Sequence, residues 1–311
     1  MRRPAPLLLP ALAACLLLTA CGTERVSTQD NGPGAAGPPP RTQVTDPGID
    51  GVRITAVTIP AASPSPSERG GVRAEPFPAV PADSGISAAY EVTNEGTEAL
   101  TYTILFSFTT SSGEVMDDQR ETVRAVGPGK TVRGTVKLGG PAPGPSPVTR
   151  VKVSEVTKVP ADEAPAEAGD CPSSGIRVTA DEGDAAMGLR VVGLHLENCG
   201  TGEYTVDGYP LLELLDDAHE PVDGVRILPG SGEITTGAGP DEPPRPVTLK
   251  PGEKATASLV WRNTTDLGTP VNVPYVRVRA KAGAAPVTVT PHLDLGTTGK
   301  LGVRPWKRAE K

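Results

Sequence analysis

Aromatic side chains are scarce in this sequence, since its 311 residues include only 3 Phe, 5 Tyr and 2 Trp. Proline and glycine are abundant instead, with 35 and 36 copies, well above their average shares of about 5% and 7%. So many turn formers exclude a mainly helical protein and disfavour a single compact α/β enzyme. A hydrophobic fraction of 37% is adequate for one or two small β domains flanked by disordered tethers.

Recognisable catalytic motifs are also missing. The three histidines, His195, His219 and His292, lie far apart and lack the spacing of metal ligands, so each is expected to be a surface or half-buried packing residue. The sequence has no nucleophile elbow, phosphate-binding loop or Ser-x-x-Lys motif. We therefore predict a protein that is not an enzyme, with no catalytic residue and no cofactor. An envelope enzyme or metal carrier with an unrecognised site is the alternative.

Two acidic clusters are candidate calcium sites, because carboxylates grouped in a turn can hold Ca²⁺. The first is residues 181–184, Asp-Glu-Gly-Asp. The second lies in the turn of a predicted hairpin between residues 211–215 and 225–228, and its members are Asp216, Asp217, His219, Glu220 and Asp223. Neither has the spacing of an EF-hand. Solvated turns are the favoured interpretation, so no metal site is predicted.

The charge is acidic but unevenly distributed. The net charge is −7, and removal of Arg2 and Arg3 makes it −9, so nucleic acid is excluded as an expected partner. Residues 271–311 nevertheless hold eight Lys or Arg against Asp294 and Glu310. The C-terminal segment is therefore basic while the rest of the chain is acidic.

The N-terminus has the pattern of a bacterial secretion signal. Arg2 and Arg3 precede sixteen uncharged residues, 5–20, and polar sequence follows Cys21. Sixteen residues are fewer than the roughly 20 that a membrane-spanning helix needs, and signal peptidases cut after small residues. We predict a signal peptide at residues 1–20 that exports the protein.

The end of this signal resembles a lipobox, in which the Cys thiol receives a diacylglyceryl group and becomes the new N-terminus. The match is Leu18-Thr19-Ala20-Cys21. A second match that ends at Cys15 would leave Leu16-Leu17-Leu18 on the mature chain, so Cys21 is the preferred lipidation site. The predicted location is the outer face of the cytoplasmic membrane, with the lipid as the anchor.

Two cysteines remain once Cys15 leaves with the signal and Cys21 carries lipid. In an oxidising, exported compartment Cys171 and Cys199 are expected to form one disulfide. The loop it closes corresponds to a chain-entropy stabilisation of roughly 3 to 4 kcal/mol. A pair of free thiols is the alternative.

Alternating apolar and polar residues predict short strands. The clearest runs are residues 102–109, 132–138 and 150–153 in a first region, and 255–261 and 276–281 in a second. The fold class predicted is all-β, with two tandem antiparallel immunoglobulin-like β-sandwiches. The expected segments are a lipidated Cys and disordered tether at 21–50, a first sandwich at 51–158, a linker at 159–170 and a second sandwich at 171–307.

A short repeat supports two copies of one plan. Asn-x-Gly-Thr follows a predicted strand at residues 94–97 and again at 198–201. A Pro-Gly turn that opens an alternating strand begins at Pro128 in the first region and at Pro251 in the second. The second interval is longer and contains the Pro/Gly-rich stretch 229–246, which we interpret as an insertion, with a binding loop as the alternative.

A basic strand is the best electrostatic candidate for binding. Arg277, Arg279 and Lys281 alternate with apolar residues, which directs all three to one face. Such a stripe on a tethered domain could contact anionic wall polymers or lipid headgroups. An ordinary exposed strand face is the simpler interpretation.

The second region resembles domain of unknown function 4232, found in exported actinobacterial lipoproteins. The resemblance runs from Cys171 to about Lys307, and its motifs are Cys171-Pro172, the strand at 188–192, the Asn-Cys-Gly-Thr of 198–201 and Asp-Gly-Tyr-Pro-Leu at 207–211. It implies an extracytoplasmic β-sandwich with one disulfide and no established activity. The first region resembles only generic immunoglobulin-like modules.

Together these features predict a non-enzymatic, lipid-anchored protein of the cell envelope. Its expected role is that of an interaction or accessory module, and its expected partners are the membrane, through the lipid, and envelope proteins. Binding of an anionic wall polymer is the alternative function.

Overall fold

The structure is a computed structural model that describes residues 41–44, 46–60, 83–140, 148–237 and 240–309. The predicted signal peptide, Cys15, Cys21 and most of the predicted tether lie outside these residues. The described residues belong to one compact unit. They contain strands and turns but no helix, and so no helix that is long and apolar enough to span a membrane.

The N-terminal half contains seven strands in two antiparallel sheets. One sheet has the order β1-β2-β3-β6 and the other β5-β4-β7. The strands are β1 (Arg41–Gln43), β2 (Val52–Thr58), β3 (Asp83–Thr93), β4 (Leu100–Thr109), β5 (Val115–Val126), β6 (Thr131–Gly139) and β7 (Arg150–Pro160). Apolar side chains from both sheets share one core, so the sheets pack face to face as a β-sandwich.

The C-terminal half contains more and shorter strands. The strands are β8 (Ile176–Ala180), β9 (Asp184–Ala186), β10 (Leu189–Asn198), β11 (Tyr204–Val206), β12 (Leu211–Leu215), β13 (Arg226–Pro229), β14 (Val247–Leu249), β15 (Lys254–Arg262), β16 (Asn272–Val273), β17 (Tyr275–Arg279), β18 (Val287–Val289), β19 (Leu293–Asp294), β20 (Lys300–Val303) and β21 (Lys307–Arg308).

Two sheets build the body of this half. The larger has the order β13-β20-β15-β10-β8, with β21 paired to β15 and β9 paired to β10, and the smaller has the order β12-β17-β18. Two short pairs, β11-β14 and β16-β19, complete the half. A second core, separate from the first, is packed between the sheets.

The apolar residues of the predicted alternating strands form much of the two cores. Tyr102, Ile104, Phe106 and Phe108 of β4 are all buried, and so are the alternate residues 255–261 of β15. Burial of each large side chain is worth about 1.5–3 kcal/mol. Val132 is an exception: it lies near the start of β6 and is 37% exposed.

Three predicted boundaries or connections differ from the structure. Residues 41–43, assigned to the tether, pair with β2 as an edge strand; its side chains are exposed, so hydrophobicity does not mark it. Strand β7 extends to Pro160, into the predicted linker. The hairpin predicted across residues 211–228 is wrong, because β12 pairs with β17 whereas β13 pairs in parallel with β20 in the other sheet.

The repeated Asn-x-Gly-Thr motif has the same hydrogen bonds in both halves. Asn94 and Asn198 are 0% and 1% exposed. The Asn94 amide donates to the carbonyl oxygens of Glu98 and Val126, both at 2.7 Å. The Asn198 amide donates to those of Gly202 and Leu249, at 2.8 and 2.9 Å.

The backbone around these asparagines also matches. Asn94 bonds through its N–H to Lys130 and through its carbonyl to the N–H of Gly129, in the Pro-Gly turn before β6. Asn198 bonds in the same way to Glu253 and Gly252, in the turn before β15. Each buried asparagine thus ties the end of one central strand to the turn that opens its neighbour. This equivalence extends the sequence repeat to three dimensions.

We predict that Asn94→Ala and Asn198→Ala each lower the free energy of unfolding by about 1–3 kcal/mol, because each leaves two carbonyl oxygens without their donor. Urea denaturation measures the change. Asn272→Ala is the control, since this exposed side chain forms no hydrogen bond within the described residues, and its effect should stay within about 0.5 kcal/mol. Equal effects of the three substitutions would contradict the stabilising role assigned to the amide groups of Asn94 and Asn198.

Candidate functional site

The junction between the two halves contains a polar network, and Glu163 is at its centre. Its carboxylate accepts hydrogen bonds from Arg277 Nε at 2.8 Å and from Thr288 Oγ1 at 2.7 Å. Its backbone carbonyl accepts one from the N–H of Thr288 at 2.8 Å. Glu163 follows the last strand of the N-terminal half, whereas its partners lie on β17 and β18 of the other half.

Arg277 completes the ion-pair network. It also donates to Glu213 of β12 at 2.9 Å, so one guanidinium joins two carboxylates. The side chains of Arg277 and Glu163 are only 22% and 15% exposed. The hydrogen bond with Glu163 raises the pKa of Arg277 above its ordinary value, so the cation is retained despite its partial burial.

An apolar cluster lies beside this network. Val159 of β7 packs with Leu215 of β12 and Tyr275 of β17, all buried. The Tyr275 hydroxyl accepts a hydrogen bond from the N–H of Lys158 at 3.3 Å, and burial raises the pKa of this hydroxyl. The junction therefore combines apolar burial with paired charges.

His219 covers the exposed side of Tyr275. The two rings stack with centroids 4.3 Å apart. His219 has a positive φ of 62°, in a turn that the Asp216 carboxylate stabilises by accepting the N–H groups of Ala218 and Glu220. Burial lowers the pKa of His219, and a hydrogen bond with the backbone of Lys158 acts in the opposite direction.

A groove of about 650 Å³ runs along the same junction. Both halves line it, and threonines predominate, among them Thr101, Thr122, Thr157, Thr179 and Thr288. Its charged groups are already paired within the protein: Arg120 with Glu182, Arg124 with Glu167, and His292 with Glu155. Hydroxyl and methyl groups together suit a polar ligand or a peptide segment, and no nucleophile in the groove is hydrogen-bonded to His292.

The histidines and acidic clusters do not converge on one centre. His195 contacts Asp181 at 3.1 Å, His292 contacts Glu155 at 3.1 Å, and His219 stacks on a tyrosine. Asp181 also caps a turn by accepting the N–H groups of Gly183 and Gly193. Among the described residues no group of three His, Cys, Asp or Glu is placed to hold a metal ion.

The predicted cationic strand is largely engaged within the protein. Arg277 is held by two carboxylates, as described above. Arg279 donates to the carbonyl of Ala284, and Lys281 donates to that of Thr205 while its ammonium lies 4.0 Å from the centre of the Tyr204 ring. These contacts reduce the positive charge that this face can offer a ligand.

The disulfide between Cys171 and Cys199 is present in the structure. The two residues are 28 positions apart, with their Cα atoms at 5.6 Å. The bond ties the start of the C-terminal half to the turn after β10, next to the Asn198 motif. It therefore links the segment before β8, which follows the junction in the chain, to the end of β10 in the larger sheet.

The inserted stretch 229–246 is fixed by hydrogen bonds where the structure describes it. The Asp241 carboxylate accepts the N–H and hydroxyl of Ser231, at 2.7 and 3.0 Å, and the N–H of Gly232 at 2.8 Å. These bonds, led by the Ser231 N–H, lower the pKa of Asp241. Arg304 binds the carbonyl of Pro240 from the C-terminal segment.

Sequence reasoning missed Glu163 and its partners. Glu163 was part of an acidic linker with no strand pattern, and Arg277 lies 114 residues away. The one available signal was an arginine between two valines of a strand, which requires a counter-charge if it is partly buried.

We predict that Glu163→Gln and Arg277→Gln are coupled by about 1.5–3 kcal/mol in a double-mutant cycle of unfolding free energy. Arg277→Gln leaves the partly buried Glu163 without its cation, and Glu163→Gln leaves Arg277 with Glu213 as its one carboxylate partner. The control cycle uses Arg226 and Glu233, which are 3.4 Å apart but about 60% exposed. Their coupling should be below about 1 kcal/mol. A coupling at the junction no larger than the control would contradict its role.

The lowered pKa of His219 predicts a pH dependence of stability. The unfolded chain takes up a proton near the ordinary value of 6.5, whereas the folded protein does so only at lower pH. The contribution of neutral His219 is therefore present above about pH 6.5 and lost as the pH falls through the interval below it. His219→Gln should flatten the fall in unfolding free energy from pH 7.5 to 5. An unchanged slope would show that His219 is not the group responsible.

Comparison with known proteins bears on the C-terminal half. No curated protein matches the chain. Residues 171–307 match the family model of Domain of unknown function (DUF4232), over the bounds that the sequence motifs predict. The match from the disulfide cysteine Cys171 to Lys307 in the last strand confirms the resemblance of the C-terminal half to DUF4232.

Proposed function

We propose that the protein is a non-enzymatic, lipid-anchored module of the cell envelope, whose two halves form a tandem of immunoglobulin-like β-sandwiches held in one orientation. The observation that carries the proposal is the junction of Glu163, Arg277 and Thr288. It gives an exported chain a body of fixed shape, with a polar groove between the halves. A body of this kind serves to present a surface to a partner at a defined geometry.

The sheet orders support the immunoglobulin-like assignment. In the C-terminal half, β8-β10-β15 and β12-β17-β18 correspond to the A-B-E and C-F-G sheets of such a domain. In the N-terminal half, β2-β3-β6 corresponds to A-B-E, and β4 and β7 form the C-F pair, with β5 beside β4. The matched asparagine motifs lie at the same point of both sheets, at the end of strand B.

Several features support a location outside the cytoplasm. A disulfide persists in oxidising compartments, and the structure has one between the two cysteines left after export. The predicted secretion signal and lipobox account for the other two cysteines. The paired charges of the groove and the dispersed histidines are consistent with binding rather than with chemistry.

We predict that Cys21→Ser abolishes incorporation of labelled fatty acid and moves the protein from the membrane fraction to the soluble fraction, because the thiol that carries the lipid is gone. Cys15→Ser is the matched control and should leave both properties unchanged. If Cys15→Ser releases the protein while Cys21→Ser does not, the lipidation site is misassigned. Unchanged membrane association of both variants would overturn the proposed anchor.

A further inference from the structure

A second groove, of about 300 Å³, lies between the inserted stretch and the C-terminal segment. One wall is formed by residues 242–247 and the other by residues 304–308, and β15 contributes Thr256 and Ser258. We call it the basic groove, since its lining includes Arg245, Arg304, Lys307 and Arg308 but only one carboxylate, Glu242. It is separate from the junction and from the cationic strand considered above.

Two of the four cations hold the walls in place. Arg304 donates to the carbonyl of Pro240 at 2.7 Å and lies 3.8 Å from the Asp241 carboxylate. Arg308 donates to the carbonyl of Thr248 and pairs with Glu253, both at 2.5 Å. Both contacts cross from the C-terminal segment to the chain on the far side of the groove, so the groove exists before any ligand binds.

The other two cations are available. Arg245 and Lys307 are exposed, and within the described part of the chain their side chains form no ion pair and no hydrogen bond. This distinguishes them from Arg277, which is bonded to two carboxylates. They line the same groove, and their guanidinium and ammonium groups can each bind an anion.

The floor of the groove is rigid and apolar. Trp306 is 2% exposed and donates its indole N–H to the carbonyl of Ala280 at 3.0 Å. Its backbone N–H is bonded to Gly208, and β21 pairs with β15 directly after it. A wall that is held in place before binding reduces the ordering cost of binding.

We propose that the basic groove binds the phosphodiester groups of an anionic polymer chain, with Arg245 and Lys307 as the binding residues. A guanidinium can hold two oxygens of one phosphate, and an ammonium supplies a mobile point charge. The groove is open, as a chain threading past requires. Single-stranded nucleic acid shares this chemistry but gains much of its affinity from bases stacked on aromatic side chains, and the only aromatic residue that lines the groove, Trp306, is buried.

The inference deepens the proposed function, because an envelope location is what supplies a wall polymer as the source of phosphate. The site itself is tested on purified protein, independently of anchoring. If Cys21→Ser leaves membrane association unchanged, the proposed anchor is wrong but the binding site on the purified protein is not affected. If the purified protein does not bind the polymer, the proposed site is wrong but the lipid anchor is not affected.

The experiment measures binding of a fluorescent poly(glycerol phosphate) oligomer to the purified full-length Cys21→Ser protein at low ionic strength by anisotropy. We expect binding that weakens with salt, and an affinity loss of about tenfold or more for Arg245→Gln/Lys307→Gln. The matched control is Arg150→Gln/Lys152→Gln, which removes the same charge from exposed residues of β7 that form no side-chain contact in the described structure. The control should bind within about twofold of the parent protein.

Several outcomes would overturn the proposal. These are no binding at low salt, equal losses in the two double variants, or equal binding of uncharged polyglycerol. Tighter binding of single-stranded DNA than of the oligomer would assign the groove to nucleic acid instead. Binding of phosphatidylglycerol vesicles but not of the oligomer would assign it to the membrane surface.

Discussion

The carboxylate of Glu163 links the two halves through a partly buried ion pair. It lies just beyond the last strand of one half and is bonded to an arginine and a threonine of the other. Removal of the arginine would leave the Glu163 carboxylate partly buried without its cation, which costs more than loss of an exposed pair. The tyrosine, leucine and valine beside it add apolar burial.

Within each half a single buried asparagine has a comparable local role. Asn94 and Asn198 satisfy the same backbone groups in the same order, although the second half carries a longer segment between the motif and its turn. That extra length is the stretch held by Asp241, Ser231 and Arg304. The insertion is therefore not an unattached loop, and it forms one wall of the basic groove.

Local patterns in the sequence predicted the local structure. Alternation identified β4 and β15, cysteine accounting identified the disulfide, and short motifs identified the DUF4232 half. Features that depend on distant pairing were not predictable. The partner of Arg277 lies in a segment without strand pattern, and β12 and β13 look like a hairpin but belong to different sheets. The alternating cations Arg277, Arg279 and Lys281 were visible in the sequence, whereas the carboxylates and carbonyl oxygens that accept their hydrogen bonds were not.

The fixed orientation of the two halves is the central claim, and a distance distribution between them tests it most directly. Spin labels at Lys137→Cys, in β6, and at Lys250→Cys, directly after β14, place one probe on an exposed residue of each half, and double electron–electron resonance measures their separation. The account predicts one narrow distribution that broadens when Glu163 is replaced by Gln. A broad or multiple distribution in the otherwise unaltered protein would contradict it.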